Sequence, residues 1–183
     1  MDFKNVLKSL IELFQKNDID FALIGGLALH VYHVDRATSD IDFLVLVEDK
    51  NKVKELLIQE GYISVYETNN VMNMYNPNPD FGRVDFLFAQ RKYTLTMLKN
   101  ATIKKLFDLD VKFANVEDII GLKVQSSSND NSRYDQDMSD IKKLIKNNKE
   151  NINMMLVKEY FDIFNRSSEL EEVLKKIEIN NVN

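Results

Sequence analysis

The stretch Gly25-Gly26-Leu27-Ala28-Leu29-His30-Val31-Tyr32-His33-Val34-Asp35-Arg36-Ala37-Thr38-Ser39-Asp40-Ile41-Asp42-Phe43-Leu44-Val45 decides how the chain is read. Just before it, Phe21-Ala22-Leu23-Ile24 has the length and composition of a buried strand, and the double glycine stops it. Leu27 to His33 reads as a short helix, and Ile41 to Val47 as a second strand. Glycines lack a Cβ, so the backbone can approach a ligand closely, and a helix start favours anions. Fourteen residues after Gly26 stands Asp40, in Asp40-Ile41-Asp42. Alternation along a strand sends Asp40 and Asp42 to one face and Ile41 and Phe43 to the other. Two neighbouring carboxylates repel unless a cation lies between them, and a hard divalent ion supplies that charge. The first element can therefore cradle a phosphate and the second can hold a metal. The plain alternative is a tight turn followed by a solvent-facing strand end with two acids.

Outward from this stretch the pattern is that of strands first and helices last. Phe3, Val6, Leu7, Leu10, Ile11 and Phe14 recur at helical spacing, which predicts an amphipathic helix over 3–16. A second helix is expected over 49–59, ended at Gly61. Two β-rich runs, 62–66 and 71–75, flank a polar turn at Asn69-Asn70. Asn76-Pro77-Asn78-Pro79-Asp80 is a loop, and Arg83 to Phe88 reads as a third principal strand. Beyond residue 90 come a strand near 111–114 and helices at about 92–100, 116–127, 136–147, 151–164 and 167–178. Ser126 to Ser132 reads as a polar loop between two of them. The expected architecture is an α/β (α+β) core over 1–115 with a helical part over 116–183.

Composition narrows the chemistry. The 183 residues hold no cysteine, which excludes disulfides and thiolate metal sites. With two histidines, His30 and His33, read as structural or partly exposed, any metal is expected to be held by oxygen: Mg²⁺, Mn²⁺ or Ca²⁺. No signal-peptide pattern opens the chain, and no run approaches the ~18 apolar residues of a membrane span. A cytoplasmic location without a membrane partner is the expectation. The net charge of −5 argues against an extended nucleic-acid surface. Arg91, Lys92, Lys99, Lys104 and Lys105 nevertheless form a basic island free of acids. It reads as a solvated helix face or, alternatively, a binding patch.

Asp85 strengthens the metal reading, because an unpaired carboxylate inside Val84-Asp85-Phe86-Leu87-Phe88 would be costly. If this strand neighbours that of Asp40 and Asp42, a third carboxylate completes a two-metal site, with Asp85 as ligand and general base. The alternative is an edge-strand acid paired with Arg83. Arg36 and Thr38 precede the carboxylates and can reach phosphate oxygens, although Arg36 can equally pair with Asp35 or Asp40. Lys123 falls on or beside the apolar stripe of Val116, Ile119, Ile120 and Val124. Arg133, Asp137 and Asp140 share a face at i, i+4, i+7 spacing. They read either as an internal ion pair tying two helices or as Lys123 on a triphosphate with an aspartate shaping the pocket.

Gly-Gly-Leu-Ala-Leu, then Arg-Ala-Thr ten residues later, then Asp-Ile-Asp-Phe-Leu-Val resembles the polymerase-β-like nucleotidyltransferase superfamily. More narrowly it resembles the AbiEii-type, minimal-nucleotidyltransferase branch of bacterial toxin–antitoxin systems. Val116 to Lys123, Arg133 and Asp137 to Ile141 are similar to that branch's later motif, so the resemblance spans about residues 20–145. It implies a nucleotidyltransferase fold with a mixed twisted sheet flanked by helices. It also implies Gly25 and Gly26 on the triphosphate, Asp40, Asp42 and Asp85 on Mg²⁺ or Mn²⁺, and Lys123 with Asp137 or Asp140 at the nucleotide. The implied reaction moves a nucleoside monophosphate from an NTP to a hydroxyl of RNA (such as tRNA), protein or a small molecule. A cognate antitoxin is an implied partner, and a non-catalytic nucleotide- or partner-binding relative is the competing reading. Many superfamily members carry Gly-Ser where this chain has Gly25-Gly26, so a phosphate-facing hydroxyl is missing there.

Overall fold

The computed structural model describes residues 1–179. The described chain divides into two compact units, one of residues 1–31 and 36–114, the other of residues 32–35 and 115–179. Among the described residues no helix is long and apolar enough to cross a membrane.

The first unit is built on a seven-stranded mixed sheet. Its strands are β1 (Phe21–Ile24), β2 (Asp40–Leu46), β3 (Ile63–Glu67), β4 (Val71–Asn76), β5 (Gly82–Ala89), β6 (Thr102–Leu106) and β7 (Leu109–Phe113), in the order β3-β4-β5-β2-β1-β7-β6. The helices of this unit are α1 (Phe3–Lys16), α2 (Gly25–Val31), α3 (Lys50–Gln59) and α4 (Lys92–Asn100). β2 runs antiparallel to β1 and parallel to β5. One face of the central strands is apolar because alternation puts Ile41, Phe43, Val84, Phe86 and Phe88 there, all buried. Phe14 of α1 closes this core edge-on against Phe43 and Phe86, at centroid distances of 5.3 and 6.1 Å. Asp2 caps α1 by accepting a hydrogen bond from the Asn5 amide.

The elements depart from the sequence expectation in several places. β6 has no counterpart in it, because the Phe107-Asp108 turn that pairs β6 with β7 has positive φ at both residues without the usual Asn-Gly. The basic island is consequently no single helix face: Lys92 and Lys99 belong to α4, Lys104 and Lys105 to the edge strand β6. The short helix begins at Gly25 and stops at Val31 rather than running to His33. His33 has φ +61°, and Tyr32–Asp35 belongs to the helical unit, where Asn148 Nδ2 donates to the Tyr32 carbonyl at 3.0 Å.

That second unit contains α5 (Val116–Asn129), α6 (Tyr134–Asn147), α7 (Met154–Ile163) and α8 (Ser167–Ile179). The expected loop at 126–132 is replaced by helix as far as Asn129. Ser127 and Ser128 donate back to the carbonyls of Lys123 and Val124 at 2.8 and 2.7 Å, so their hydroxyls are satisfied within the helix. Gly121 is required by packing, since a Cβ there would stand 2.8 Å from the ring of Tyr160. Tyr160 in turn donates to Asp118 at 2.6 Å, and Asp118 is only 4% exposed. Burial pushes the Asp118 carboxyl above the ordinary carboxylate range, with the Tyr160 hydrogen bond acting against it. A raised carboxyl pKa makes the folded state bind its proton more tightly, so this residue's contribution becomes less favourable as pH climbs above ~3.9, the unfolded value. Chemical denaturation across pH should therefore show Asp118→Asn gaining stability relative to wild type as pH rises from acid to neutral. A pH-independent difference would refute this.

Candidate active site

The parallel pairing of β2 with β5 sets the site. Its register matches Asp40 with Arg83 and Asp42 with Asp85, and directly opposed residues face the same side of a sheet. Neighbouring strands lie ~4.8 Å apart, so the three carboxylates occupy adjacent positions on one face. That face is opposite the phenylalanine core, and Asp40, Asp42 and Asp85 are all half-buried on it. The strand carrying Asp85 is central and not the edge strand of the alternative reading.

Arg83 holds this acidic group together. Its Nε donates to both oxygens of Asp85, at 2.9 and 3.1 Å. The Arg83 guanidinium is pushed above its ordinary value, first by that hydrogen bond, with the charges of Asp85, Asp40 and Asp42 also contributing, against the effect of burial. The pairing expected for Asp85 with Arg83 is thus present in the same place as the three-carboxylate cluster.

The two glycines bring the turn against these side chains. Gly25 has φ +65°, and a Cβ on it would lie 1.9 Å from Asp42 Oδ2. The Asp42 carboxylate therefore rests directly against glycine backbone. A Cβ on Gly26 would lie 2.4 Å from Thr38 Oγ1. That hydroxyl donates to Asp40 Oδ1 at 2.8 Å. Thr38 thus places a hydroxyl in the space a side chain at position 26 would enter, beside the first carboxylate. Arg36 lies half-buried on the same segment leading into β2.

Among the described residues, no three histidine, aspartate or glutamate side chains converge on one point as metal ligands. Asp85 is turned to Arg83 and Asp40 to Thr38. The donor set still suits a hard divalent ion: all oxygen, partly accessible and on adjacent strands.

In the helical unit, Lys123 of α5 reaches α6 and forms ion pairs with Asp137 at 2.9 Å and Asp140 at 2.7 Å. All three residues are buried. Arg133 Nε adds a longer contact of 3.4 Å to the second oxygen of Asp137. The internal ion pair anticipated between the two helices is present, and it involves both aspartates. Removing one member of a buried pair strands the others, which is strongly destabilising.

Arg166 had no role in the sequence expectation. Only 8% exposed, it donates to the Val124 carbonyl and to the Ser127 and Ser128 hydroxyls at 3.1, 2.7 and 3.0 Å. It also forms two hydrogen bonds to Glu169 and stacks over the Tyr134 ring at 5.1 Å. Its one sequence signal is the i, i+3 spacing to Glu169, which is common on any helix. Tyr66, Asn73 and Tyr75 were also missed. β-pairing puts them on the carboxylate face, since Asn73 opposes Asp85, Tyr75 opposes Arg83 and Tyr66 opposes Asn73.

Gly25→Ala tests the close approach. A left-handed φ costs a residue with a Cβ ~1–2 kcal/mol, and the added methyl must also displace Asp42. Urea unfolding should show a loss of at least that size. Stability equal to wild type would mean that the turn does not hold Asp42 as described.

No family model matches the chain, and no curated protein is similar to it in sequence. Solved structures do match. The lincomycin-bound lincosamide antibiotic adenylyltransferase LnuA is 18% identical, over 76% of this chain and 94% of its own, with a TM-score of 0.54. ANT(2'')-Ia in complex with adenylyl-2''-tobramycin is 12% identical over 88% of this chain and 95% of its own, with a TM-score of 0.64. An antigenic nucleotidyltransferase-like protein from Paracoccidioides brasiliensis is 19% identical over 95% and 92%, with a TM-score of 0.57. The chain, a mixed sheet flanked by helices, has the nucleotidyltransferase fold.

Proposed function

We propose that this protein is a nucleotidyltransferase that moves a nucleoside monophosphate from an NTP to a hydroxyl acceptor. The observation that carries the reading is the β2–β5 register, which lines up Asp40, Asp42 and Asp85 on one face, with the Gly25-Gly26 turn packed against them. The fold shared with two antibiotic adenylyltransferases supports it. Asp40, Asp42 and Asp85 would hold Mg²⁺ or Mn²⁺, which when bound neutralises charge on the triphosphate and the attacking oxygen.

The residues divide the remaining work. Gly25 and Gly26 admit the triphosphate to the backbone, and Thr38 and Arg36 stand beside it as donors. Asp85 accepts the proton of the acceptor hydroxyl, whose oxygen forms a bond to the α-phosphorus. The bond from that phosphorus to the β-phosphate bridging oxygen breaks, and pyrophosphate leaves with the electron pair. Lys123, with Asp137 and Asp140, is assigned to the nucleotide by the resemblance of the later motif. In that role the two aspartates fix the direction of the lysine. Positioning and electrostatics supply most of the rate in such transfers.

Membership of the AbiEii-like branch, with an antitoxin partner and a cytoplasmic location, rests on the Gly-Gly and Asp-Ile-Asp motifs and belongs to the same proposal. A small-molecule acceptor is the second reading, favoured by the likeness to LnuA and ANT(2'')-Ia. A binder without catalysis would retain nucleotide affinity but release no pyrophosphate.

Pyrophosphate release from each NTP, measured with Mg²⁺ and a pool of RNA, protein and metabolites, tests the reading. Asp42→Asn should lower the rate at least ~100-fold while thermal unfolding stays close to wild type. Undiminished release by a folded Asp42→Asn would remove the metal-site assignment.

A further inference from the structure

The sheet face that carries the carboxylates continues outward over β4 and β3, and it is exposed there. One row across the strands reads Asp40, Arg83, Tyr75, Ile63, and the next reads Asp42, Asp85, Asn73, Tyr66. Ile63, Tyr66 and Tyr75 are 51%, 57% and 41% exposed, and the pairing gathers them on one continuous face beside the carboxylates. Tyr75 is the diagonal neighbour of Asp85, with Cβ atoms ~7–8 Å apart in such a pair. Tyr66 is diagonal to Tyr75 across the β3–β4 pairing and lies one strand further out. The two rings are not in contact with each other, so each offers its own face.

The chemistry of this shelf is selective. Outside the three carboxylates it holds Arg83, Asn73, Tyr66 and Tyr75 with the apolar Ile63, Val71 and Leu87: one positive charge, one amide, flat rings and no further acid. A polycationic acceptor such as an aminoglycoside finds no additional carboxylate there. Planar rings find two stacking faces, an amide able to hydrogen-bond base edges, and the Arg83 guanidinium. Exposed aromatics on a β-sheet bind unpaired bases in this manner, and two separated rings suit two successive bases better than one free nucleoside.

We propose that Tyr75 and Tyr66 form a stacking shelf for the last two bases of a single-stranded RNA, which delivers its terminal hydroxyl to Asp85. The terminal base lies on Tyr75, next to the reacting end, and the preceding base lies on Tyr66. The role of that hydroxyl as acceptor rests on the proposed transferase reading. The shelf itself is a binding property and is measurable without turnover.

The test is fluorescence anisotropy of a dye-labelled, unstructured RNA oligonucleotide with a free 3′ hydroxyl, titrated with the full chain. Tyr75→Ala and Tyr66→Ala should each weaken binding roughly fivefold or more, the effect of losing one base–aromatic stack. Tyr75→Phe and Tyr66→Phe keep the ring and should bind like wild type. Both residues are exposed, and thermal unfolding of each variant verifies that the fold is retained. Alanine variants that bind as tightly as wild type would overturn the shelf. So would absence of RNA binding by the wild type, a free nucleoside binding as tightly as the oligonucleotide, or tobramycin binding that depends on the two tyrosines. Stabilisation by NTP with Mg²⁺, read on the same samples, reports on the transferase site separately. Its loss with the RNA result intact would refute the transferase reading and leave the shelf standing.

Discussion

The parallel pairing of β2 with β5 is the constraint on which the site depends. A shift of one residue in that register would carry Asp85 to the opposite face, against Phe14 and Phe43, and would take Phe86 out of the core. The hydrophobic effect prevents this, because Val84, Phe86 and Phe88 must meet the core together with Ile41 and Phe43. The apolar half of the two strands therefore positions the acidic half. Three carboxylates on neighbouring strands are mutually repulsive, and the structure meets that cost locally through Arg83 on Asp85 and Thr38 on Asp40.

The Gly25-Gly26 turn has a role beyond flexibility. Gly25 is pressed against the Asp42 carboxylate and Gly26 against the Thr38 hydroxyl, so neither position has room for a side chain. Thr38 brings its hydroxyl into the space that a side chain at position 26 would enter, so the glycine and the threonine twelve residues later are parts of one arrangement.

Much of this was legible because short-range pattern dictated it. The alternation in Asp40-Ile41-Asp42-Phe43 and in Val84-Asp85-Phe86 reported two-faced strands, while their pairing stood only as a condition that the β2–β5 register meets. What escaped depended on partners distant in sequence or on turns with atypical residues. β6 was hidden because Phe107-Asp108 makes a turn that ordinarily announces itself by Asn-Gly. Ser126 to Asn129 looked like a loop because serines favour turns, yet back-bonding to i−4 carbonyls keeps them helical. Arg166 gains its meaning from Ser127 and Ser128, nearly forty residues earlier. Tyr66 and Tyr75 carry no local signal, since strand tyrosines are as often buried as exposed, and only the pairing reveals which face they share with Asp85.

In the proposed reading Asp40, Asp42 and Asp85 act together as a divalent-metal and nucleotide site. Electron paramagnetic resonance of Mn²⁺ addresses it most directly, because bound manganese can be counted without any acceptor. With NTP present, wild type should bind Mn²⁺ tightly, and Asp42→Asn should abolish that bound population while remaining folded. Equal Mn²⁺ binding by the two proteins would contradict the account.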